Sequence, residues 1–172
     1  MTPLGPGEIA PLLAATVATL RAEVRALAGE ARRQPSEGEW SVCECVGHLI
    51  EADRRGFAGR IREILAADRP VLTRWDPPVV AAGRHDNEAD PIELVEQFAA
   101  GRSEAIALVR SLSATDLARV GIHPEIGPLR VDEILAQWPF HDRSHVRQAL
   151  AVSQARLWPQ MGATQRFSEP AG

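Results

Sequence analysis

Apolar residues recur at steps of three and four through four stretches of this 172-residue chain, the period of helices that bury one face. In the first stretch, about 8–31, the stripe is Ile9, Leu13, Val17, Leu20, Val24 and Leu27, with Arg21, Glu23, Arg25 and Glu30 facing water. Pro11 is expected in its first turn, where a missing N–H costs nothing. The second, about 41–67, carries Val42, Cys45, Val46, Leu49, Phe57, Ile61 and Ile64 and opens on Ser41-Val42-Cys43-Glu44, the spacing of a capping box. The third, about 91–111, starts at Asp90-Pro91 as N-cap and N1 and buries Ile92, Val95, Phe98, Ala99, Ile106, Val109 and Leu112. The fourth, about 131–152, has Asp132 and Glu133 in its first turn, where carboxylates favour a helix N-terminus. Pro139 should kink it just before His141.

The segments between these stretches are rich in Pro and Gly. Residues 68–90 hold Pro70, Pro77, Pro78 and Gly83, a long connection for a compact domain. It reads either as a crossover between helices that are not simple antiparallel neighbours or as a lid over a site. Residues 113–117 suggest a short extra turn, and 120–129 a turn or small hairpin. The lead-in 1–7 is expected to be loosely held, and the tail after Trp158, with Pro159, Gly162 and Pro170, to be ordered only by packing against the surface. With no internal repeat and no strand-period segment, the fold class is all-α: a four-helix bundle with a long crossover connection, 1–172 forming one domain.

Composition narrows the function classes. All 19 basic residues are Arg, they are scattered, and the net charge is −4, so the basic footprint of a nucleic-acid binder is missing. No apolar run reaches about 18 residues, so no membrane partner is expected. The apolar segment from Ile9 follows Glu8 and has no basic region before it, unlike a signal peptide. Cys43 and Cys45 are too close on one helix to bridge comfortably. Free thiols without an export signal point to the cytoplasm.

The candidate chemistry begins at His141 and His145. Four residues apart on a helix, they share one face and can hold one metal ion if a third ligand exists elsewhere. They fall on the side of Ile134, Trp138 and Val152, toward the interior, with Asp142 in the same broad arc. His48 lies only at the flank of the second apolar stripe, near Cys45 and Ala52. Spacing alone therefore leaves two readings open, a metal pair or incidental histidines.

Three segments carry a resemblance. Trp40-Ser41-Val42-Cys43-Glu44-Cys45-Val46-Gly47-His48-Leu49 resembles the opening W-S-x-x-E-x-x-x-H-L signature of the DinB/YfiT-like superfamily of metal-dependent proteins. His123-Pro124-Glu125-Ile126-Gly127-Pro128-Leu129 resembles its hairpin, and His141 to Gln148 its closing H-x-x-x-H-x-x-Q. The likeness spans about residues 8–152. It implies a four-helix bundle and three metal ligands, His48, His141 and His145. It also implies a divalent ion, with Zn or Ni favoured and Fe possible, and a homodimer. The substrate would be a small molecule, such as a low-molecular-weight thiol, in a thiol-dependent transferase, isomerase or hydrolase. The competing expectations are a non-catalytic metal-binding stress-response protein and a purely structural bundle.

Other residues have bland and functional readings. Asp53 and Asp142 either pair with arginines or serve the ligands as hydrogen-bond acceptors or general bases. Gln148 suits an interhelical hydrogen bond, Cys45 a small buried hydrophobe, and Cys43 points nearly opposite to it. His123 suits a structural hydrogen bond, and His85 is the runner-up extra ligand. Trp138 and Trp75 are core residues or pocket walls. Arg102 resembles a recurrent arginine of the family and is expected in a salt bridge holding the crossover.

Overall fold

The computed structural model describes residues 4–168; the start of the expected lead-in, 1–3, and the end of the tail, 169–172 with Pro170, lie outside the described residues. The elements are α1 (Pro6–Leu27), α2 (Val42–Glu51), a π-helical turn (Ala52–Phe57), α3 (Ala58–Ala66), α4 (Pro77–Ala82), α5 (Pro91–Ser111), α6 (Ala114–Leu117), β1 (Val120–His123), β2 (Gly127–Arg130) and α7 (Val131–Leu157). α1, the α2–π–α3 rod, α5 and α7 form the four-helix bundle, and β1 and β2 pair as a short antiparallel hairpin leading into α7.

Local chemistry sets the helix ends. Ser41 and Glu44 close the capping box that starts α2, and the Asp90 carboxylate accepts from the N–H groups of Ile92 and Glu93 to start α5. α1 starts at Pro6 rather than about residue 8, so Pro11 lies in its second turn and leaves the Gly7 carbonyl without its intrahelical donor. α7 runs on through Pro139 to Leu157, past the expected end near 152. In α5, Ile92 is exposed, and Leu94, Arg102 and Ala105 join the buried face instead.

Two hydrophobic clusters fill the bundle and fix its helix directions. At one end Ile9 and Leu13 of α1, Ile61 and Ile64 of α3, Ala105 and Val109 of α5, and Ile134 and Trp138 of α7 pack together. At the other end Leu20 and Val24 meet Val46 and Leu49, Val95 and Phe98, and Ala149 and Val152. The α2–π–α3 rod and α5 therefore run in the same direction, opposite to α1 and α7. Parallel neighbours cannot be joined by a tight turn, because the chain must return the length of the bundle. That return is the long connection after Ala66. It starts beside the hairpin, where Leu72 N–H donates to Ile122 O and Ile122 N–H to Pro70 O, and then crosses the outer face of α2.

The π-helical turn is absent from the α-period reading. Its extra residue rotates everything after it by about 100° relative to a plain helix. Leu49, Asp53, Phe57 and Ile61 are spaced by four, which drifts off one face of an α-helix over three steps. The wide turn absorbs that drift and keeps all four buried. Repeated fours without a three were the sequence signal.

Candidate metal centre

His48 on α2 and His141 and His145 on α7 converge where these helices face each other. His48 Nε2 lies 3.1 Å from His141 Nε2, and His145 Nε2 lies 3.2 Å from it. Among the described residues no other His, Cys, Asp or Glu joins the group. Four-coordinate tetrahedral binding with metal–nitrogen bonds of about 2.0–2.1 Å puts ligand nitrogens about 3.3 Å apart. The residues therefore fit a metal ion in spacing and in donor type.

The electrostatics agree with that fit. Burial, reinforced by the neighbouring imidazoles, holds His48 down to about 3 and His141 down to about 4. Burial also lowers His145, against the hydrogen bond it donates to Gln148. All three rings are thus neutral near pH 7, the form that ligates metals. His145 Nδ1 donates to Gln148 Oε1 at 2.7 Å, which leaves its Nε2 lone pair facing the cluster. Gln148 thus reaches a ring on its own helix rather than bridging helices. His141 Nδ1 is buried without a partner, and Phe57 steadies that ring edge-on at 5.2 Å.

Aromatic rings wall the site. Trp40, just before the α2 cap, stacks on His145 with centroids 5.5 Å apart and meets His48 at 5.0 Å. Trp75, from the long connection, stacks on His48 at 6.3 Å. His48, which a helical wheel leaves on a flank, is buried because α2 is covered on nearly every side. The connection supplies part of that cover. Arg84 binds Glu51 of α2 and Asp86, and Asp86 lies so close over Gly47 that a Cβ there would stand 1.8 Å from its carboxylate.

Behind the histidines lies a buried ionic network. Arg102 is fully buried and donates to Asp53 at 2.6 and 2.8 Å and to both oxygens of Asp142. Asp53 also accepts from Trp138 Nε1 and Asp142 from Thr16 Oγ1, each at 2.8 Å. Burial, helped by the neighbouring Asp142 carboxylate, raises the Asp53 carboxyl to about 6 against the pull of Arg102. Arg102 therefore joins α5 to the π turn and α7, not to the crossover as the sequence reading expected; Arg84 holds the crossover. Neither carboxylate accepts a hydrogen bond from a clustered histidine.

The remaining candidates stay out of the site. Cys43 and Cys45 are buried free thiols, pushed up to about 11 and about 12 by burial. They lie in the core on different sides of a helix that is covered all round. His123 bonds Arg60 and the Glu125 N–H, a structural role. His85 is exposed in the connection with a left-handed backbone, apart from the cluster. Trp138 is fully buried core.

A four-helix bundle that gathers three neutral imidazoles from two facing helices, with no fourth protein donor among the described residues, defines a class of helical proteins able to hold a metal ion. The chain belongs to the DinB superfamily, whose family model matches residues 12–149. Among curated relatives it is 24% identical over 122 residues to a protein of Oceanobacillus iheyensis named "Putative metal-dependent hydrolase OB0782", covering 70% of this chain and 69% of that one. It is 26% identical over 146 residues to YuaE of Bacillus subtilis, an uncharacterized protein, covering 77% and 89%. Its fold is like that of YfiT from Bacillus subtilis, called a probable metal-dependent hydrolase with an unusual four-helix bundle topology (TM-score 0.79, 19% identity, 89% of this chain and 88% of that one). It is also like that of a mycothiol-dependent maleylpyruvate isomerase (TM-score 0.64, 12% identity, 95% and 76%). At such identities these two likenesses concern the fold.

Proposed function

We propose that this chain is a divalent-metal-dependent enzyme whose ion is held by His48, His141 and His145, and that it acts on a small molecule bearing or receiving a thiol. The observation that carries the proposal is the convergence of three neutral Nε2 atoms at 3.1 and 3.2 Å. Lone pairs so close repel one another unless a proton or cation lies among them. An ion held there keeps its full charge and an open position, where it lowers the pKa of a bound water or thiol.

The chain's own groups do the rest. Gln148 holds the proton on His145 Nδ1 and so aims Nε2 inward. Trp40 and Trp75 shield the rings from water on two sides. His141 and His145 remain half-buried, which leaves the cluster reachable by a small molecule.

The ligand set suits Zn or Ni, with Fe also compatible. The broad reading draws support from the name of one relative, which says metal-dependent, and from that of one fold neighbour, which says mycothiol-dependent. Thiol transfer, isomerisation and hydrolysis all suit such an open position, and two of the similar proteins are named "Putative metal-dependent hydrolase" and "probable metal-dependent hydrolase". Two buried free cysteines agree with a reducing, cytoplasmic setting.

The test is metal content. Purified protein should carry one divalent ion per chain by elemental analysis, and His141→Ala should lose it after reconstitution. Wild-type protein without stoichiometric metal, together with a variant that binds metal identically, overturns the proposal.

A further inference from the structure

A cavity of about 460 Å³ lies between the α2–π–α3 rod and α5, and none of the three histidines lines it. Its volume falls in the range of small-molecule sites. Asp53, on the π-helical turn, is among its lining residues. Within the buried ionic network only Asp53 reaches solvent, its side chain 9% exposed against 0% for Arg102 and Asp142. The cavity is therefore where that network comes to the surface.

The network arrives there with its charges unequal. Asp53 and Asp142 share the one guanidinium of Arg102, which leaves one negative charge in excess. The Asp53 carboxyl, raised to about 6, is still ionised at pH 7.5. An ionised carboxylate offers about four acceptor positions, and Asp53 uses three. Its Oδ1 accepts from Arg102 Nη2 and Trp138 Nε1, and its Oδ2 from Arg102 Nε alone. Oδ2 thus keeps a position for one more donor, and a donor that is a cation would balance the charge.

The walls keep room for such a ligand. Gly101 lines the cavity from inside α5, where glycine is the least favourable residue after proline. No neighbouring heavy atom lies within 4 Å of a Cβ placed there, so no close packing calls for glycine. Ala58 and Ala105, both buried and small, line the same space, and Ile50 adds apolar surface. The exposed rim is mixed in charge, with Arg54 and Arg62 on the rod and Glu104 on α5, so the buried carboxylate decides which sign is favoured inside.

We infer that this cavity binds a small organic cation, an ammonium group donating to Asp53 Oδ2 while its apolar body fills the space beside Gly101. The site stands apart from the metal centre, and its test needs neither metal nor turnover.

Phenethylammonium is the probe, and 2-phenylethanol, of nearly the same shape without the charge, is its control. Dissociation constants are measured by NMR titration at pH 7.5 on wild-type protein, Asp53→Asn, Gly101→Leu and Glu104→Gln, with circular dichroism to check folding. Wild type should bind the ammonium saturably and the alcohol about tenfold more weakly. Asp53→Asn should weaken ammonium binding about tenfold, as loss of a charge-assisted hydrogen bond does. Gly101→Leu leaves every member of the network in place and puts a strong helix former into α5. It should abolish binding by filling the cavity, and it decides the matter if Asp53→Asn does not fold. Glu104→Gln should change affinity less than about twofold. Absence of saturable binding to wild type, equal affinity for ammonium and alcohol, or wild-type affinity in Gly101→Leu or in folded Asp53→Asn overturns the inference. A tenfold loss in Glu104→Gln, which would place the cation at the rim, overturns it as well.

Discussion

Asp53 on the π-helical turn and Arg102 on α5 form a two-point ion pair in the middle of the bundle, at 2.6 and 2.8 Å. The same guanidinium holds Asp142, the chain neighbour of His141, and Asp142 in turn takes the Thr16 hydroxyl from α1. Four helical segments are thus fastened to one another directly behind the histidines, which limits how far α2 and α7 can separate.

Replacing Arg102 by Met should therefore destabilise the metal-free protein by about 3–5 kcal/mol, because two buried carboxylates lose their counter-charge. Urea unfolding measures it. Adding Asp53→Asn and Asp142→Asn should restore part of the loss, since neutral amides tolerate burial better than stranded charges. A loss below about 1 kcal/mol would mean the network carries little of the fold.

Stability of the metal-free protein should fall as pH falls below about 6.5. His48 and His141 are held to about 3 and about 4 in the fold by burial and by neighbouring imidazoles, and return to about 6.5 when unfolded. Between those values the unfolded chain binds more protons, so acid favours it, and the contribution is lost progressively as pH drops toward about 4. Melting temperatures from pH 7.5 to 4 check this. Asp53, raised to about 6, works the other way and offsets part of the loss, so the histidine share is read from the variant: His48→Gln should flatten the slope, and a slope equal to that of the wild type would contradict the neutral burial of His48.

Gln148→Ala should leave the fold intact and weaken divalent-metal binding about 10–100-fold, the usual cost of losing the partner that orients a ligand imidazole. The Gln148 carbonyl is the acceptor for His145 Nδ1. Competition with a chromogenic chelator gives the affinity, and wild-type affinity in the variant would show that packing against Trp40 alone orients the ring.

Gly47→Ala should loosen the long connection. The added Cβ would stand 1.8 Å from Asp86, whose carboxylate Arg84 holds in place. The expected loss is about 1–3 kcal/mol, the cost of overpacking, with faster proteolysis at residues 76–89. Unchanged proteolysis would mean Asp86 swings aside freely.

The four bundle segments, the Ser41 and Asp90 caps and the facing pair His141 and His145 were legible from the sequence, since each is set by residues within a turn of one another. His48 was legible only through the resemblance, for its wheel position is a flank. Burial there comes from α7, Trp40 and the connection, none of which is near in sequence terms to all the others. Arg102 forms the expected salt bridge, but its partners were not legible for the same reason: charge pairing in a core depends on which helices face each other, and no local period encodes that. Local spacing determined where helices form and which residues share a face. The tertiary structure decided which faces meet, because the long return between the parallel α2–π–α3 rod and α5 lets α7 come back antiparallel beside α2, and that brings together His48 and His141, 93 residues apart, with the ionic network behind them.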